Sequence, residues 1–228
     1  MSLFETAISL VAPTYCIRCG REGPILCSIC QAAEVVAYGQ HCWRCGTVSS
    51  GARTCPKCRH LAGPRFVWVV THYEGIAAEL IRAYKYGHLR AAALSLANIM
   101  TATFREYKAA AADDYLVVPV PTATSRLRTR GFDHAGLLAR QIAKRLGWPS
   151  RPLLGRLGQS RQVGAPRATR LAQPRGHYYL RASQLVAGRN ILLIDDVVTT
   201  GATLAEVARL LRAHGARRVD ALVFAKRL

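Results

Sequence analysis

The sequence predicts an α/β protein: a doubly wound, mostly parallel sheet preceded by a small metal-binding domain. Two observations carry this. Short unbroken apolar runs at residues 115–120 and 191–194 read as strands buried on both faces, the condition of a parallel sheet covered by helices. All eight cysteines lie ahead of these runs, in four C-x2-C pairs between residues 16 and 58. The strand candidates are followed by turns and then by apolar residues at helical spacing, the β–α alternation of such sheets.

Half of the 228 residues are apolar, enough for a substantial core. No apolar run approaches the roughly 20 residues of a membrane span, so none is expected. The N-terminal stretch has no basic segment and carries Glu5, so no secretion signal is expected and the protein is read as cytoplasmic. The formal charge is +19. Two four-thiolate zinc sites would lower it to about +15. Between residues 115 and 190 there are 14 Lys and Arg against one acid, Asp133. Such asymmetry suits a polyanionic partner, with a solvated basic face as the plain alternative.

The pairs Cys16/Cys19, Cys27/Cys30, Cys42/Cys45 and Cys55/Cys58 can each turn two sulfurs onto one ion, and a tetrahedral zinc takes two pairs. A disulfide framework is the alternative, but nothing points to export. Cys16-Ile17-Arg18-Cys19-Gly20 is echoed by Cys42-Trp43-Arg44-Cys45-Gly46. The echo predicts one ribbon written twice, the first pair joined to the second and the third to the fourth; cross-bracing is the alternative. His41 and His60 are read as surface residues. The ribbons either brace the chain or present Arg18, Trp43, Arg44, Lys57 and Arg59 to a nucleic acid.

Ala62-Gly63-Pro64 marks a boundary between a domain of residues 1–63 and a second of residues 64–228. In the second, residues 66–73 are expected as a strand and 76–86 and 89–107 as helices, with Lys85 read first as a cation at a helix end. Residues 115–121 form a strand stopped by proline. The loop at 122–131 holds Arg126, Arg128 and Arg130, suited to a pyrophosphate. Residues 133–146 are expected as a helix, and 151–154 and 177–180 as short strands. Between these, 155–176 is a long arginine-bearing segment of the kind that forms lids. Residues 219–224 are expected as a strand that closes the sheet.

The most informative run is Ile191-Leu192-Leu193-Ile194-Asp195-Asp196-Val197-Val198-Thr199-Thr200-Gly201-Ala202-Thr203. A buried strand is expected to end at two adjacent carboxylates, and a helix to begin after a Thr/Gly turn. Ligands of open α/β sheets bind beyond the carboxyl ends of strands. Free N–H groups and the dipole at the helix start suit a phosphate, Gly201 lets the backbone approach it, and the threonines add hydroxyl donors. The carboxylates suit sugar hydroxyls. An ordinary turn with Thr203 as N-cap is the plain alternative.

This run resembles the signature of type I phosphoribosyltransferases, which bind phosphoribosyl pyrophosphate (PRPP). The chain more widely resembles the ComF family, competence-associated proteins related to amidophosphoribosyltransferases. The resemblance rests on the paired cysteines, Lys85-Tyr86-Gly87, Val118-Pro119-Val120-Pro121, Arg130-Gly131-Phe132 and Asp-Asp-Val-x-Thr-Thr-Gly-x-Thr. It implies that Asp195 and Asp196 hold the ribose and that residues 197–203 (Val197, Val198, Thr199, Thr200, Gly201, Ala202, Thr203) wrap the 5′-phosphate. Thr122, Arg126 and Arg130 would take pyrophosphate with Mg2+, and Lys85, Gln162 and Arg170 would belong to the pyrophosphate side and lid. The family's Arg-x-x-Asn is here Arg170 followed by Gln173. The resemblance further implies a role in uptake of single-stranded DNA, with other competence-machinery proteins as partners. Pentosyl transfer, a silent PRPP-sensing DNA binder, and an enzyme of nucleotide metabolism unrelated to DNA uptake are the readings to be weighed.

Overall fold

The computed structural model describes residues 13–86, 91–107, 114–121, 133–156 and 177–227. Among them one all-parallel sheet runs in the order β1 (Val67–His72), β6 (Arg218–Lys226), β5 (Asn190–Val198), β2 (Leu116–Pro119), numbered along the chain. The last strand does not close the sheet as expected; it lies inside, between β1 and β5. Its burial on both faces explains the placement, since its six apolar residues would be half-exposed at an edge.

The strands alternate their apolar residues between two layers. Trp68, Val70, Val117, Leu192, Ile194 and Phe224 pack against α2 (Gly75–Tyr86), α3 (Ala92–Tyr107) and α4 (His134–Leu146). Val67, Val69, Val118, Ile191, Leu193 and Val223 pack against α5 (Ala202–Ala213). This is the doubly wound arrangement the sequence predicts. Helix α4 starts where expected because Asp133 caps it, accepting a hydrogen bond from the Gly136 N–H at 3.0 Å. Residues 87–90, where the second helix was expected to begin, lie outside the described residues.

Both outer edges of the sheet are covered. Along β1, Ala37 bridges Thr71 in antiparallel fashion, and the Tyr38 N–H donates to the Val70 carbonyl at 2.8 Å. Along β2, the Val117 N–H donates to Pro149 and its carbonyl accepts from Arg151. That pairing removes residues 151–153 from the expected strand. β3 (Leu154–Arg156) therefore begins later and forms a small antiparallel hairpin with β4 (Tyr178–Leu180). An unpaired edge invites association with other chains, and here β1 and β2 each have a backbone partner on the outer side.

The cysteine-bearing segment, which contains α1 (Ser28–Glu34), packs onto both layers. Cys16, Ile25, Leu26 and Cys30 join the three-helix side, whereas Tyr38 and Trp43 join the α5 side. Asp220 of β6 is fully buried, a residue the sequence reading passed over. It accepts from the Tyr115 hydroxyl at 2.7 Å and the Phe66 N–H at 3.1 Å, and pairs with Arg218 at 2.5 Å. It thus ties the entries of β1, β2 and β6 together. Burial pushes its carboxyl up from the ordinary range, against those three partners. Asp220→Ala is expected to cost about 3–5 kcal/mol and lower the melting temperature by roughly 6–15 °C, measured by thermal unfolding.

Candidate functional site

Strand β2 stops at Pro119, opposite Ile194, but β5 continues for four more residues paired to β6 alone. The expected strand end at Ile194 is therefore corrected: Asp195 and Asp196 lie inside β5, on an overhang that has no strand partner on its β2 side among the described residues. The cause is the longer partner, since β6 offers Val223, Ala225 and Lys226 beyond the reach of β2. The overhang builds a crevice at the carboxyl ends of the strands.

Lys85, at the end of α2, reaches both carboxylate oxygens of Asp196, at 2.7 and 2.8 Å. It is placed by its neighbour: the Tyr84 hydroxyl donates to the His134 carbonyl at 2.5 Å, and the His134 Nε2 lies 2.8 Å from the Tyr84 carbonyl. Both rings are buried, so this clasp fixes the end of α2 against the start of α4. Asp195 accepts from the Asp196 N–H at 2.9 Å. Burial, and then the charge of Asp196, push the Asp195 carboxyl up to about 8, against the pull of Lys85. Asp195 thus keeps a proton to higher pH than an ordinary aspartate and, when protonated, can donate one hydrogen bond and accept others, beside Asp196 paired with Lys85. That combination suits vicinal hydroxyls.

Beyond the acids, Val197 is half-buried and Val198 fully packed in the α5 layer, so their side chains build the wall. Thr199 and Thr200 are exposed, Ala202 is exposed and Thr203 half-buried. The turn is held from below. Lys226 donates to the Thr199 carbonyl, and the Arg227 N–H donates to the Val198 carbonyl at 2.9 Å. Gly201, not Thr203, is the N-cap of α5, with φ 77°. Its missing side chain does not make room for a ligand. A Cβ there would lie 1.9 Å from a ring carbon of Trp43, so the space belongs to the second cysteine segment.

The eight cysteines form two groups, Cys16/Cys19/Cys27/Cys30 and Cys42/Cys45/Cys55/Cys58, with the sulfurs of each within 4.8 Å of one another. This is the sequential pairing the internal echo predicts. The two copies share their turn: the Gly20 N–H donates to the Cys16 carbonyl at 2.9 Å and the Gly46 N–H to the Cys42 carbonyl at 2.8 Å. Burial raises the Cys16 thiol, but backbone N–H donors from Cys27, Cys19 and Arg18 outweigh it and bring it to about 6. Hydrogen bonds from Thr47 likewise bring Cys45 to about 6. Cys30 and Cys58 are pushed up to about 12, Cys30 chiefly by its Cys27 neighbour and Cys58 chiefly by burial. N–H groups aimed at sulfur stabilise thiolate, and the four-sulfur set is the donor chemistry of zinc. His41 is held by the Tyr38 carbonyl, at 2.9 Å, and lies outside both groups.

The structure corrects the idea that the ribbons present Trp43 to a nucleic acid. The ring is 1 % exposed, its Nε1 donates to the Thr54 hydroxyl at 2.9 Å, and Arg44 lies over its face. Arg18 is paired with Glu34, while Lys57 and Arg59 are exposed. The position of Trp43 is that of Ile17 in the first copy, also packed on the core. An apolar residue at the same place in both copies was the available sign of an anchor. Thr122, Arg126, Arg130, Gln162 and Arg170 lie outside the described residues, as does the lid expected at 155–176 apart from Gly155 and Arg156, which belong to β3.

Two outcomes follow from this geometry. Gly201→Ala is expected to destabilise the protein by about 2–4 kcal/mol, through both φ and collision with the ring. In a Trp43→Ala background the same change costs only the backbone part, about 1 kcal/mol, as a double-mutant cycle would measure. Asp195 has a folded pKa above its unfolded value, so its ionisation opposes folding increasingly from about pH 4 to pH 8. Asp195→Asn is expected to raise the melting temperature by roughly 2–5 °C at pH 8 and by less at pH 5.

Residues 129–228 match the family model described as "Phosphoribosyl transferase domain". Along most of its length the chain is similar to Competence protein F of Haemophilus influenzae, 26 % identical over 220 residues, covering 90 % of this chain and 93 % of that protein. It is 29 % identical over 205 residues to DNA utilization protein YhgH of Salmonella typhimurium, covering 86 % and 87 %. It is 28 % identical over 202 residues to Competence protein ComFC of Bacillus subtilis, covering 83 % and 79 %. A phosphoribosyltransferase-type parallel sheet thus stands behind two four-cysteine groups, and over most of its length the chain is similar to the proteins named Competence protein F and Competence protein ComFC.

Proposed function

We propose that the protein binds PRPP with Mg2+ at the carboxyl ends of β5 and β6. There it transfers the phosphoribosyl group to a nitrogen nucleophile, releasing pyrophosphate, in the cytoplasm. The observation that carries this reading is the overhang of β5 beyond the end of β2, where Asp195 and Asp196 stand directly before the Thr199–Thr200 turn and the first turn of α5. In this reading the acids hold the ribose hydroxyls. Backbone amides of residues 197–203 and the threonine hydroxyls surround the 5′-phosphate, with the α5 dipole behind them. Lys85 keeps Asp196 oriented until the sugar arrives and then faces the pyrophosphate side. Thr122, Arg126 and Arg130 would hold pyrophosphate with the metal, and Gln162 and Arg170 would close over it. The chemistry asks little covalent participation of the protein; positioning and charge stabilisation of the leaving group carry it.

The two four-cysteine groups are taken as structural zinc sites, Zn2+ being the ion their sulfurs fit. The reading divides the chain into a zinc-ribbon part at 1–63 and a phosphoribosyltransferase part at 64–228, with apolar contacts shared between them. The net charge and the names of the relatives, "Competence protein F" and "DNA utilization protein", support a place in uptake or processing of single-stranded DNA, beside other competence-machinery proteins. No helix among the described residues is long and apolar enough to cross a membrane. A silent PRPP-sensing role is favoured by one departure, Gln173 in place of the lid asparagine.

Titration calorimetry with PRPP and Mg2+ tests the binding. Heat of one-site binding is expected, reduced at least about tenfold in affinity by Asp196→Asn with the fold retained by circular dichroism. Absence of heat from the wild type would sink the reading. Pyrophosphate release with candidate amine acceptors then separates enzyme from sensor.

A further inference from the structure

Two cavities adjoin beside the second cysteine segment, sharing Arg65 and Arg212. The larger, about 470 Å3, opens between the second cysteine group and the end of α5, with Arg44, Arg53, Arg59, His60, Arg65 and Arg212 in its lining. The smaller, about 340 Å3, continues from Arg65 and Arg212 to Asn190, Arg217 and Arg218, at the amino ends of β5 and β6. Seven arginines thus line one groove, and neither lining contains an aspartate or glutamate. Asp220, beside Arg218, is buried and already engaged by Tyr115, the Phe66 N–H and Arg218, and the exposed Asp114 stands at the groove's edge, its carbonyl accepting from the Asn190 side chain at 3.4 Å. Arg44 is anchored by the Ala62 carbonyl and the Trp43 face. Arg53, Arg59, Arg65, Arg212 and Arg217 are exposed.

We infer that this groove is a second anion site, which takes the sugar–phosphate backbone of single-stranded nucleic acid while the crevice at the other end of the sheet holds PRPP. This goes deeper into the nucleic-acid part of the proposed function and is independent of its PRPP part. The cations come from three successive places: the second cysteine segment, the entry to β1, and the α5–β6 turn. They form a track, which matches phosphates in a row, rather than a cup converging on one phosphate. A duplex is too broad to enter clefts of this size, whereas one strand can lie in them. The planar guanidinium groups and His60 offer stacking surfaces for any base, so recognition would be sequence-tolerant. Asn190 and the Thr199 turn stand at opposite ends of β5, roughly 25–30 Å apart, so strand and PRPP can be bound together. Trp43 touches both sites, lining the groove and filling the space at Gly201.

The test is fluorescence anisotropy of a labelled oligothymidylate with the full chain. Arg53→Gln/Arg59→Gln/Arg217→Gln is compared with Arg82→Gln/Arg105→Gln/Arg151→Gln, which removes the same charge from exposed sites elsewhere. The groove variant is expected to bind at least about tenfold more weakly, with a salt slope shallower by about two, while the control stays within about twofold. It is also expected to keep the wild-type heat with PRPP and Mg2+, so the failure of one site is distinguishable from the failure of the other. Equal weakening in the two variants, or none in the groove variant, would overturn the inference. So would equal affinity for a duplex of the same sequence, or displacement of the oligonucleotide by stoichiometric PRPP.

Discussion

The contact between Trp43 and Gly201 joins the parts of this protein that would otherwise be separate. A tryptophan between two cysteines of the second group fills the volume that any side chain at the cap of α5 would need. The turn after the paired acids is therefore shaped from beneath by the metal-binding segment and from behind by Lys226. A turn braced in this way keeps its amides in place before any ligand arrives, which lowers the ordering cost of binding. It also makes the second cysteine group, through Trp43, part of the support of the candidate site.

The cysteine segment solves a second problem. A parallel sheet of four strands has two edges, and β1 would expose one. Residues 37 and 38 pair along it; the first cysteine group joins the three-helix layer, while Tyr38 and Trp43 join the α5 layer. A zinc ion held by each group would do work that apolar contacts alone do poorly in so short a stretch, fixing chain direction where few residues are available for a core. The stabilisation passes through Tyr38, Trp43, Ile25 and Leu26 into the main layers.

What could be read from the sequence was local. The Asp195–Thr203 run and the four cysteine pairs carry their chemistry in consecutive or closely spaced residues, and the helices near 76–86 and 133–146 declare themselves by period and caps. What escaped was set by partners far along the chain. The overhang that carries the acids exists because β6 outruns β2, and no pattern within 191–198 reports the length of its neighbours. Trp43 looks like a surface aromatic in a basic ribbon until α5 is laid against it. Asp220 is an acid inside an apolar strand, and only the meeting of Phe66, Tyr115 and Arg218 around it makes that tolerable.

The inner position of β6 has a consequence for biosynthesis. β1 and β5 have no contact as strands until residues 218–226 slide between them. While those residues are still inside the ribosome, the emerging chain can assemble the two cysteine knuckles and individual helices but no sheet wider than the β2–β5 pair. Its apolar strands would then wait unpaired, in the state where chaperones bind nascent chains, and the sheet would form in a single late event.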